Sequence, residues 1–368
     1  MRAEGAPAMK NIVLCCDGTS NQFSEHNTNV VRLYQTLVKD PARQVAYYHP
    51  GLGTMEAVGA LTSFARKFTK LLGLAIGYGL EDDIKAAYVF VMRTYQPGDR
   101  IYMFGFSRGA YTVRAVASLL HMYGLMQGHN EALVPYAIRM LSALSKNRDH
   151  AGAVFDLAAG FRQTFSGPPC PLHFVGVWDT VSSVGWIANP LKLPYTADNP
   201  DMEIGRHAVS IDERRAFFRQ NLWMPKMPSG GPKDMRQVWF PGDHCDVGGG
   251  HENGESGQSA IALAWMLREA IAAGLLADPS PADAVLCVGA AAPARALVNK
   301  LHESLAGWWW LAEYLPKRHY DFASGKVSWR MNRGRRRTMP LDALVHKSAY
   351  LQGPEYTKRL PAEAVPVD

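Results

Sequence analysis

The segment GFSRG constrains the fold most strongly, because it lies between an apolar run and a stretch of helical periodicity. The run IYMF at 101–104 is typical of a buried strand, and the apolar spacing that follows predicts a helix over 108–123. A serine on such a strand-to-helix turn projects its hydroxyl above the sheet, and small residues two positions away let neighbouring backbone approach. The segment therefore predicts Ser107 as a nucleophile, with Gly105 and Gly109 shaping the turn. A chance match in a glycine-bearing turn is the alternative.

Apolar runs alternate with helical stretches along most of the chain, which predicts a three-layer α/β fold. A helical insertion over about 126–168, a cap candidate, interrupts this alternation. Residues 181–232 are predicted to be rich in loops, and the tail after about 295 is predicted to be irregular with helical pieces. Together these patterns predict one α/β-hydrolase-like domain over 1–368, a three-layer sandwich with a mostly parallel sheet. The other predicted strands are 11–16, 44–49, 172–178, 236–240 and a short last strand at 284–288.

A serine nucleophile needs a base, and the base needs an acid that orients it. In this fold the acid follows the serine along the chain, and the histidine comes last. Asp179 directly follows one predicted strand, and His244 follows a later one in the segment PGDHCDVGGG. The sequence therefore predicts a catalytic set of Ser107, Asp179 and His244, with His251 as the alternative base. The three glycines after His244 are expected to let its loop bend back over the serine.

The backbone N–H of Arg108 is the first predicted donor of an oxyanion hole, because it opens the helix after the serine. A second donor is expected in the DGTSN loop after the first strand, from Gly18 or Thr19. Asp17 supports that loop in this interpretation; alternatively, the loop is a turn whose polar residues cap the next element. Asp246 is expected to brace the backbone around the histidine.

Composition narrows the possible classes of protein. The chain has 368 residues, of which 47% are hydrophobic and 20% charged, values typical of a globular enzyme and not of a disordered chain. Five cysteines without a CxxC pair predict neither a disulfide framework nor a cysteine zinc site. Asp17, Asp179 and Asp246 all follow predicted strands and could gather around a metal, although their spacing does not require one. The sequence predicts no metal and no cofactor.

The net charge of +6 favours anionic partners such as lipid surfaces. No nucleic-acid recognition motif accompanies this charge, so nucleic acid is not predicted as a partner. The run RGRRR at 333–337 is interpreted as a solvated basic loop, with an anion site as the alternative. The first ten residues lack the apolar stretch of a secretory signal, which predicts synthesis in the cytoplasm without a cleavable signal peptide.

Four segments coincide with one known family: LCCDGTSN at 14–21, PGDRIYMFGFSRGAYTV at 97–113, FVGVWDTVSSVG at 174–185 and FPGDHCDVGGG at 240–250. Through them the chain resembles the α/β-hydrolase domain family that includes phospholipase effectors delivered by bacterial type VI secretion. The resemblance implies a Ser-Asp-His triad, which falls on the three residues chosen above, and places the DGT loop near the active site. It also implies a phospholipid substrate, delivery outside the cell and, for an effector, a neutralising immunity protein.

The residues and the resemblance together predict a serine ester hydrolase that forms an acyl-enzyme on lipid esters. The helical segment over 130–165 and the tryptophans at 308–310 are the candidates for contact with a membrane surface. A buried aromatic cluster is the alternative for the tryptophans. Two other functions stay open: a soluble carboxylesterase or thioesterase for small acyl substrates, and a non-catalytic interaction module on a hydrolase scaffold.

Overall fold

A computed structural model describes residues 9–18, 27–51, 79–146, 151–181, 185–186, 189–190, 193–224, 233–251, 257–291, 301–307, 309–320 and 327–368. Its strands are β1 (Asn11–Cys16), β2 (Gln44–His49), β3 (Arg100–Phe106), β4 (Leu172–Trp178), β5 (Gly185–Trp186), β6 (Asn189–Pro190), β7 (Met202–Ser210), β8 (Asp234–Phe240), β9 (Lys317–Tyr320), β10 (Val327–Arg330), β11 (Leu344–His346) and β12 (Val365–Val367).

The main sheet has eight strands in the order β12-β11-β8-β7-β4-β3-β1-β2, and every neighbouring pair runs parallel. Its central strands are buried along nearly their whole length, as expected for a parallel sheet with both faces covered. The order reverses between β1 and β3, and such a switch point opens a crevice at the carboxyl ends of the strands. Two short antiparallel pairs, β5-β6 and β9-β10, lie outside this sheet.

Helices cover both faces of the sheet. They are α1 (Asn29–Thr36), α2 (Leu80–Thr94), α3 (Arg108–Tyr123), α4 (Val134–Lys146), α5 (Ala151–Phe165), α6 (His244–Gly248), α7 (Gly257–Ala272), α8 (Pro279–Ala290), α9 (Trp309–Glu313) and α10 (Pro354–Thr357). One apolar core joins α2, α3, α4 and α5 to the sheet, and a second joins α1, α7 and α8 to the opposite face. The predicted three-layer α/β fold is confirmed. Within the described ranges, no helix has the length and apolar character needed to cross a membrane.

The helical insertion corresponds to α4 and α5, which follow a short 3-10 turn and precede β4. Ile138 and Leu141 of α4 and Phe161 of α5 belong to the same apolar core as Leu120 of α3. These two helices are therefore packed onto the body of the fold. Their function as a cap, and the single-domain organisation of the whole chain, stay predictions.

Three sequence predictions outside the motifs were wrong. Residues 284–288 lie in α8 and not in a strand. Asp278, the residue before this helix, accepts the N–H of Ser280 in its first turn. A short apolar run alone does not distinguish a strand from a helix. The predicted loop-rich segment over 181–232 contains β7, a central strand of the sheet. The tail contains the expected helical pieces, α9 and α10, but it was not expected to supply strands, and it adds β11 and β12 to the sheet edge. β7 was missed because two of its buried residues, Arg206 and His207, are polar and interrupt the apolar run that predicts a buried strand.

Candidate active site

Ser107 occupies the turn between β3 and α3 in a conformation that few residues other than glycine adopt, with φ 58° and ψ −119°. The close approach of neighbouring backbone explains the two flanking glycines. A Cβ on Gly105 would lie 2.5 Å from the Gly109 carbonyl oxygen, and a Cβ on Gly109 would lie 2.1 Å from the Cys16 carbonyl oxygen. A side chain at either position would therefore collide with the backbone of α3 or of the end of β1.

The side chains of Ser107, His244 and Asp179 form a continuous row of hydrogen bonds. Ser107 Oγ lies 2.9 Å from His244 Nε2, and His244 Nδ1 lies 2.5 Å from Asp179 Oδ2. The three residues follow three different strands, β3, β8 and β4, and meet because the carboxyl ends of parallel strands share one edge of the sheet. His244 and Asp179 are both buried. The structure therefore brings together the three residues that the sequence selected.

His244 was expected in a loop, but it is the first residue of the short helix α6. Asp243 caps this helix by accepting the backbone N–H of Cys245 and Asp246, and Asp246 accepts the Asp243 N–H in return. Gly248 is required by close packing here, because a Cβ on it would lie 1.9 Å from the Phe106 ring. The loop is therefore fixed by a cap and by ring packing.

Two aromatic rings hold the imidazole of His244. The Phe106 ring centroid lies 4.6 Å from it, and the Phe218 ring meets it edge-on at 4.8 Å. The buried Glu213 accepts the backbone N–H of His244 at 3.3 Å. Sequence reasoning gave neither Phe218 nor Glu213 a role, because both lie in the segment predicted to be rich in loops.

The carboxylate of Asp179 has two partners besides His244. The Ser210 backbone N–H donates to Oδ1 at 2.9 Å, and the Arg337 guanidinium donates to both carboxylate oxygens. Burial raises the pKa of Asp179, but Arg337 and His244 outweigh that effect and hold the pKa well below its usual range. Arg337 belongs to the run interpreted as a solvated basic loop. That interpretation was wrong for this residue, since its side chain is only 4% exposed.

The predicted oxyanion residues are placed as follows. Arg108 is the first residue of α3, and the unpaired N–H groups of the first helical turn point outward from the N-terminal end of the helix. Gly18 donates its N–H to Asp17 Oδ1 at 2.7 Å, so this amide is engaged within its own loop. Thr19 lies outside the described residues. The Arg108 amide thus lies next to Ser107 in the chain, and both donors of the oxyanion hole stay predictions.

The three aspartates considered as a metal cluster have separate partners. Asp17 accepts hydrogen bonds from Thr28 Oγ1 at 2.6 Å and from the Tyr48 hydroxyl at 3.0 Å, which ties the DGT loop to α1 and β2. Asp179 is held by Arg337 and His244, as described above. Of the residues that the structure describes, Asp246 alone among the three belongs to a group of potential metal ligands, with His251 and His302.

His251, the alternative base, lies in that group and not in the hydrogen-bonded row. Its Nε2 is 3.1 Å from Asp243 Oδ1, and its ring stacks on His302. The imidazole hydrogen-bonded to Ser107 is that of His244.

The fold and the strand-to-helix turn at Ser107 define an α/β-hydrolase-like protein. The model of the family "T6SS, Phospholipase effector Tle1-like, catalytic domain" matches residues 10–269. The chain belongs to this family of phospholipase effector catalytic domains, and the resemblance stated from the motifs is confirmed.

Individual relatives are more distant or longer. An uncharacterized protein of Saccharomyces cerevisiae, YEL023C, is 36% identical over 226 residues, which cover 59% of this chain and 33% of the yeast protein. The crystal structure of an uncharacterized protein from Pseudomonas aeruginosa matches with a TM-score of 0.45 and 20% identity, over 76% of this chain and 49% of that one. The Tle1 effector bound to the VgrG spike of the type VI secretion system matches with a TM-score of 0.35 and 19% identity, over 67% and 52%. The chain thus spans about a third of the yeast protein and about half of each solved chain.

Proposed function

We propose that the protein is a serine ester hydrolase in which Ser107 is the nucleophile, His244 the general base and Asp179 the orienting acid. The observation that carries this proposal is the 2.9 Å contact between Ser107 Oγ and His244 Nε2, on a turn that holds the serine in a strained conformation. A nucleophile within hydrogen-bond reach of a base, itself oriented by a third group, is the arrangement that acyl-transfer enzymes share.

The reaction follows from these contacts. His244 Nε2 accepts the proton of Ser107 Oγ as that oxygen attacks the ester carbonyl and forms a tetrahedral intermediate. The imidazolium returns the proton to the departing alcohol, which leaves Ser107 acylated. Water then attacks the acyl carbonyl, gives its proton to His244 and releases the acid, and Ser107 regains its proton. Asp179 fixes the tautomer of His244 and stabilises its positive charge during both acylation and deacylation.

The negative oxygen of the tetrahedral intermediate needs donors that are in place beforehand. The Arg108 N–H at the start of α3 is proposed as one donor, and the positive end of the helix dipole adds to its effect. The DGT loop is proposed to supply the second through Gly18 or Thr19. If Gly18 is that donor, substrate binding must draw its N–H away from Asp17 Oδ1.

Lipid esters are the proposed substrate class. The name of the family points to phospholipids. An exposed apolar strip near the site supports the same class. Leu311 and Tyr314 are 64% and 55% exposed; Leu311 directly follows Trp310, and Tyr314 lies three residues further on. The Trp309 ring contacts Phe218, which in turn contacts His244. A lipid surface covering this strip would bring its esters close to Ser107. Trp308 lies outside the described residues.

Delivery is proposed separately from the chemistry. The family name connects the domain with type VI secretion, so we infer an effector that leaves the producing cell and meets an immunity protein there. The yeast relative shows that similar sequences also occur outside bacteria. The chemistry is therefore the part of the proposal to test first.

The test is covalent labelling of the purified chain by a fluorophosphonate, followed by hydrolysis of phospholipid vesicles. The native protein is expected to be labelled, and the variants Ser107→Ala and His244→Ala to lose on the order of 10³-fold or more in rate. Ser280→Ala, at an exposed serine at the start of α8, is the matched control and should label like the native protein.

Labelling that persists in Ser107→Ala would contradict the assignment of the nucleophile. If the folded native chain is not labelled at all, a non-catalytic interaction module becomes the better explanation. A rate that does not rise when short-chain esters are replaced by vesicles would favour a soluble carboxylesterase or thioesterase.

A further inference from the structure

A cluster of side chains able to ligate a metal joins two residues that follow His244, Asp246 and His251, to His302 much later in the chain. The ligand atoms of Asp246, His251 and His302 all lie within 4.8 Å of one another. Asp246 Oδ1 is 2.6 Å from His302 Nδ1 and 3.7 Å from His251 Nε2. The two imidazole rings lie face to face with their centroids 3.8 Å apart. None of the three side chains belongs to the row that joins Ser107 to Asp179.

Backbone contacts orient the carboxylate at the centre of this cluster. Asp246 Oδ2 accepts the backbone N–H of Asp243 and that of His302, each at 3.0 Å. Its other oxygen, Oδ1, therefore faces the two imidazoles. Because both N–H contacts come from the main chain, this orientation does not depend on an ion. The three ligand atoms are thus gathered in advance.

The cluster also concentrates negative charge inside the protein. Asp243 and Asp246 lie one helical turn apart and are 1% and 2% exposed. Arg215, a cation near Asp243, is already paired with Glu213. A cation bound beside two buried carboxylates one helical turn apart would stabilise their negative charge.

We propose that Asp246 Oδ1, His251 Nε2 and His302 Nδ1 bind a divalent transition-metal ion of the zinc type. Two imidazoles and one carboxylate are ligands that zinc takes readily, whereas calcium and magnesium prefer sites built from oxygen atoms. The fourth position is left to water or to the carboxylate of Asp243, whose Oδ1 lies 3.1 Å from His251 Nε2. Binding of the ion releases to solvent any proton carried by a ligating ring nitrogen or carboxyl group.

An ion at this site would connect two segments that are distant along the chain. His251 and Asp246 belong to the segment that begins with His244, and His302 belongs to the segment over 301–307. An ion bound to all three joins these segments beside the imidazole that contacts Ser107. The ion is not required in any step of ester hydrolysis, so binding can be measured without a lipid substrate.

The experiment uses the full chain, stripped with a chelator and then titrated with zinc chloride, with bound metal measured after equilibrium dialysis. One zinc ion per chain and a rise in Tm are expected for the native protein. His251→Gln and His302→Gln are expected to bind at least about 10- to 100-fold more weakly. His173→Gln is the matched control, because it removes a comparably exposed imidazole that pairs with Glu203 elsewhere in the fold.

The proposal is overturned if the native chain takes up no zinc, or if both glutamine variants take up as much as the native chain. Cobalt(II) provides a second measurement that needs no variant. A native chain loaded with cobalt should show the intense visible absorption of a four-coordinate site, and a spectrum like that of the hydrated ion would contradict it.

Discussion

Arg337 holds both carboxylate oxygens of Asp179: its Nη1 lies 2.5 Å from Oδ1 and its Nη2 lies 3.0 Å from Oδ2. The two residues are 158 positions apart, and both side chains are buried. Arg337 also donates to the Ser210 hydroxyl and to the Phe218 carbonyl. One guanidinium thereby connects the proposed acid of the site with the segment whose ring packs on His244.

Replacement of Arg337 by Gln should destabilise the fold strongly. The change leaves the Asp179 carboxylate buried without its main counter-charge, and breaking a buried pair in this way costs about 3–5 kcal/mol. Urea unfolding of the native and variant chains measures the difference. Arg335→Gln removes the same charge from an exposed side chain two residues earlier and should change the free energy of unfolding by less than about 0.5 kcal/mol. An equal decrease in the free energy of unfolding of both variants would mean that the ion pair between Arg337 and Asp179 does not stabilise the fold more than an exposed arginine does.

Asp179→Asn should abolish most of the esterase activity. An amide cannot hold His244 in the tautomer that accepts the Ser107 proton, and the comparable change in a serine protease costs on the order of 10⁴-fold in kcat. Steady-state hydrolysis of a soluble ester is the measurement, with circular dichroism to check folding. Asp156→Asn, at an exposed position of α5, is the control and should keep the native rate. A fall of less than tenfold in Asp179→Asn would argue against its role as the orienting acid.

Gly109→Ala should prevent stable folding. Its Cβ would lie 2.1 Å from the Cys16 carbonyl oxygen and 2.5 Å from that of Asp17, and neither backbone atom has room to move within a central strand and its loop. We expect a loss on the order of 4 kcal/mol or more, seen as insoluble protein or a strongly lowered Tm.

Gly160→Ala, the same type of substitution, should increase the stability of the protein. Gly160 lies in α5, and a Cβ there meets no atom within 4 Å. Alanine should stabilise the helix by about 0.5–1 kcal/mol. A Gly109→Ala chain as stable as Gly160→Ala would show that the turn at Ser107 is not closed by backbone contact.

The limits of sequence reasoning follow from how each element is encoded. α3 and β4 agree with their predicted bounds because long apolar runs and a helical period leave few alternatives. β7 was not predicted as a strand because its polar residues Arg206 and His207 are buried. Arg206 forms ion pairs with Asp234 and Glu269. Partners that meet only through the tertiary fold, such as Arg337 and Asp179, leave no local signal. The run of arginines at 333–337 was visible, but nothing in it distinguished the one buried member from its neighbours.

Stability should fall as the pH is lowered, partly through His207. This side chain is fully buried in β7, where its Nε2 accepts the Thr180 backbone N–H next to Asp179. Burial lowers the pKa of His207 from 6.5 to about 3, so between these values the unfolded chain binds a proton that the folded chain does not. The stabilisation is complete above pH 6.5 and is lost progressively as the pH falls toward 3. One fully linked proton contributes about 1.4 kcal/mol per pH unit.

The measurement is urea unfolding at a series of pH values across that window, for the native chain, His207→Gln and His129→Gln. The slope of unfolding free energy against pH, and not its absolute value, is compared, because the His207 change also alters packing against Trp223. His207→Gln should have the smaller slope, since glutamine does not titrate. His346, whose pKa burial lowers to about 4, preserves part of the acid sensitivity in every chain. The exposed His129 should leave the slope unchanged. If His207→Gln and the native chain lose stability in parallel as the pH falls, His207 is not the buried neutral imidazole described here, and the acid sensitivity arises elsewhere.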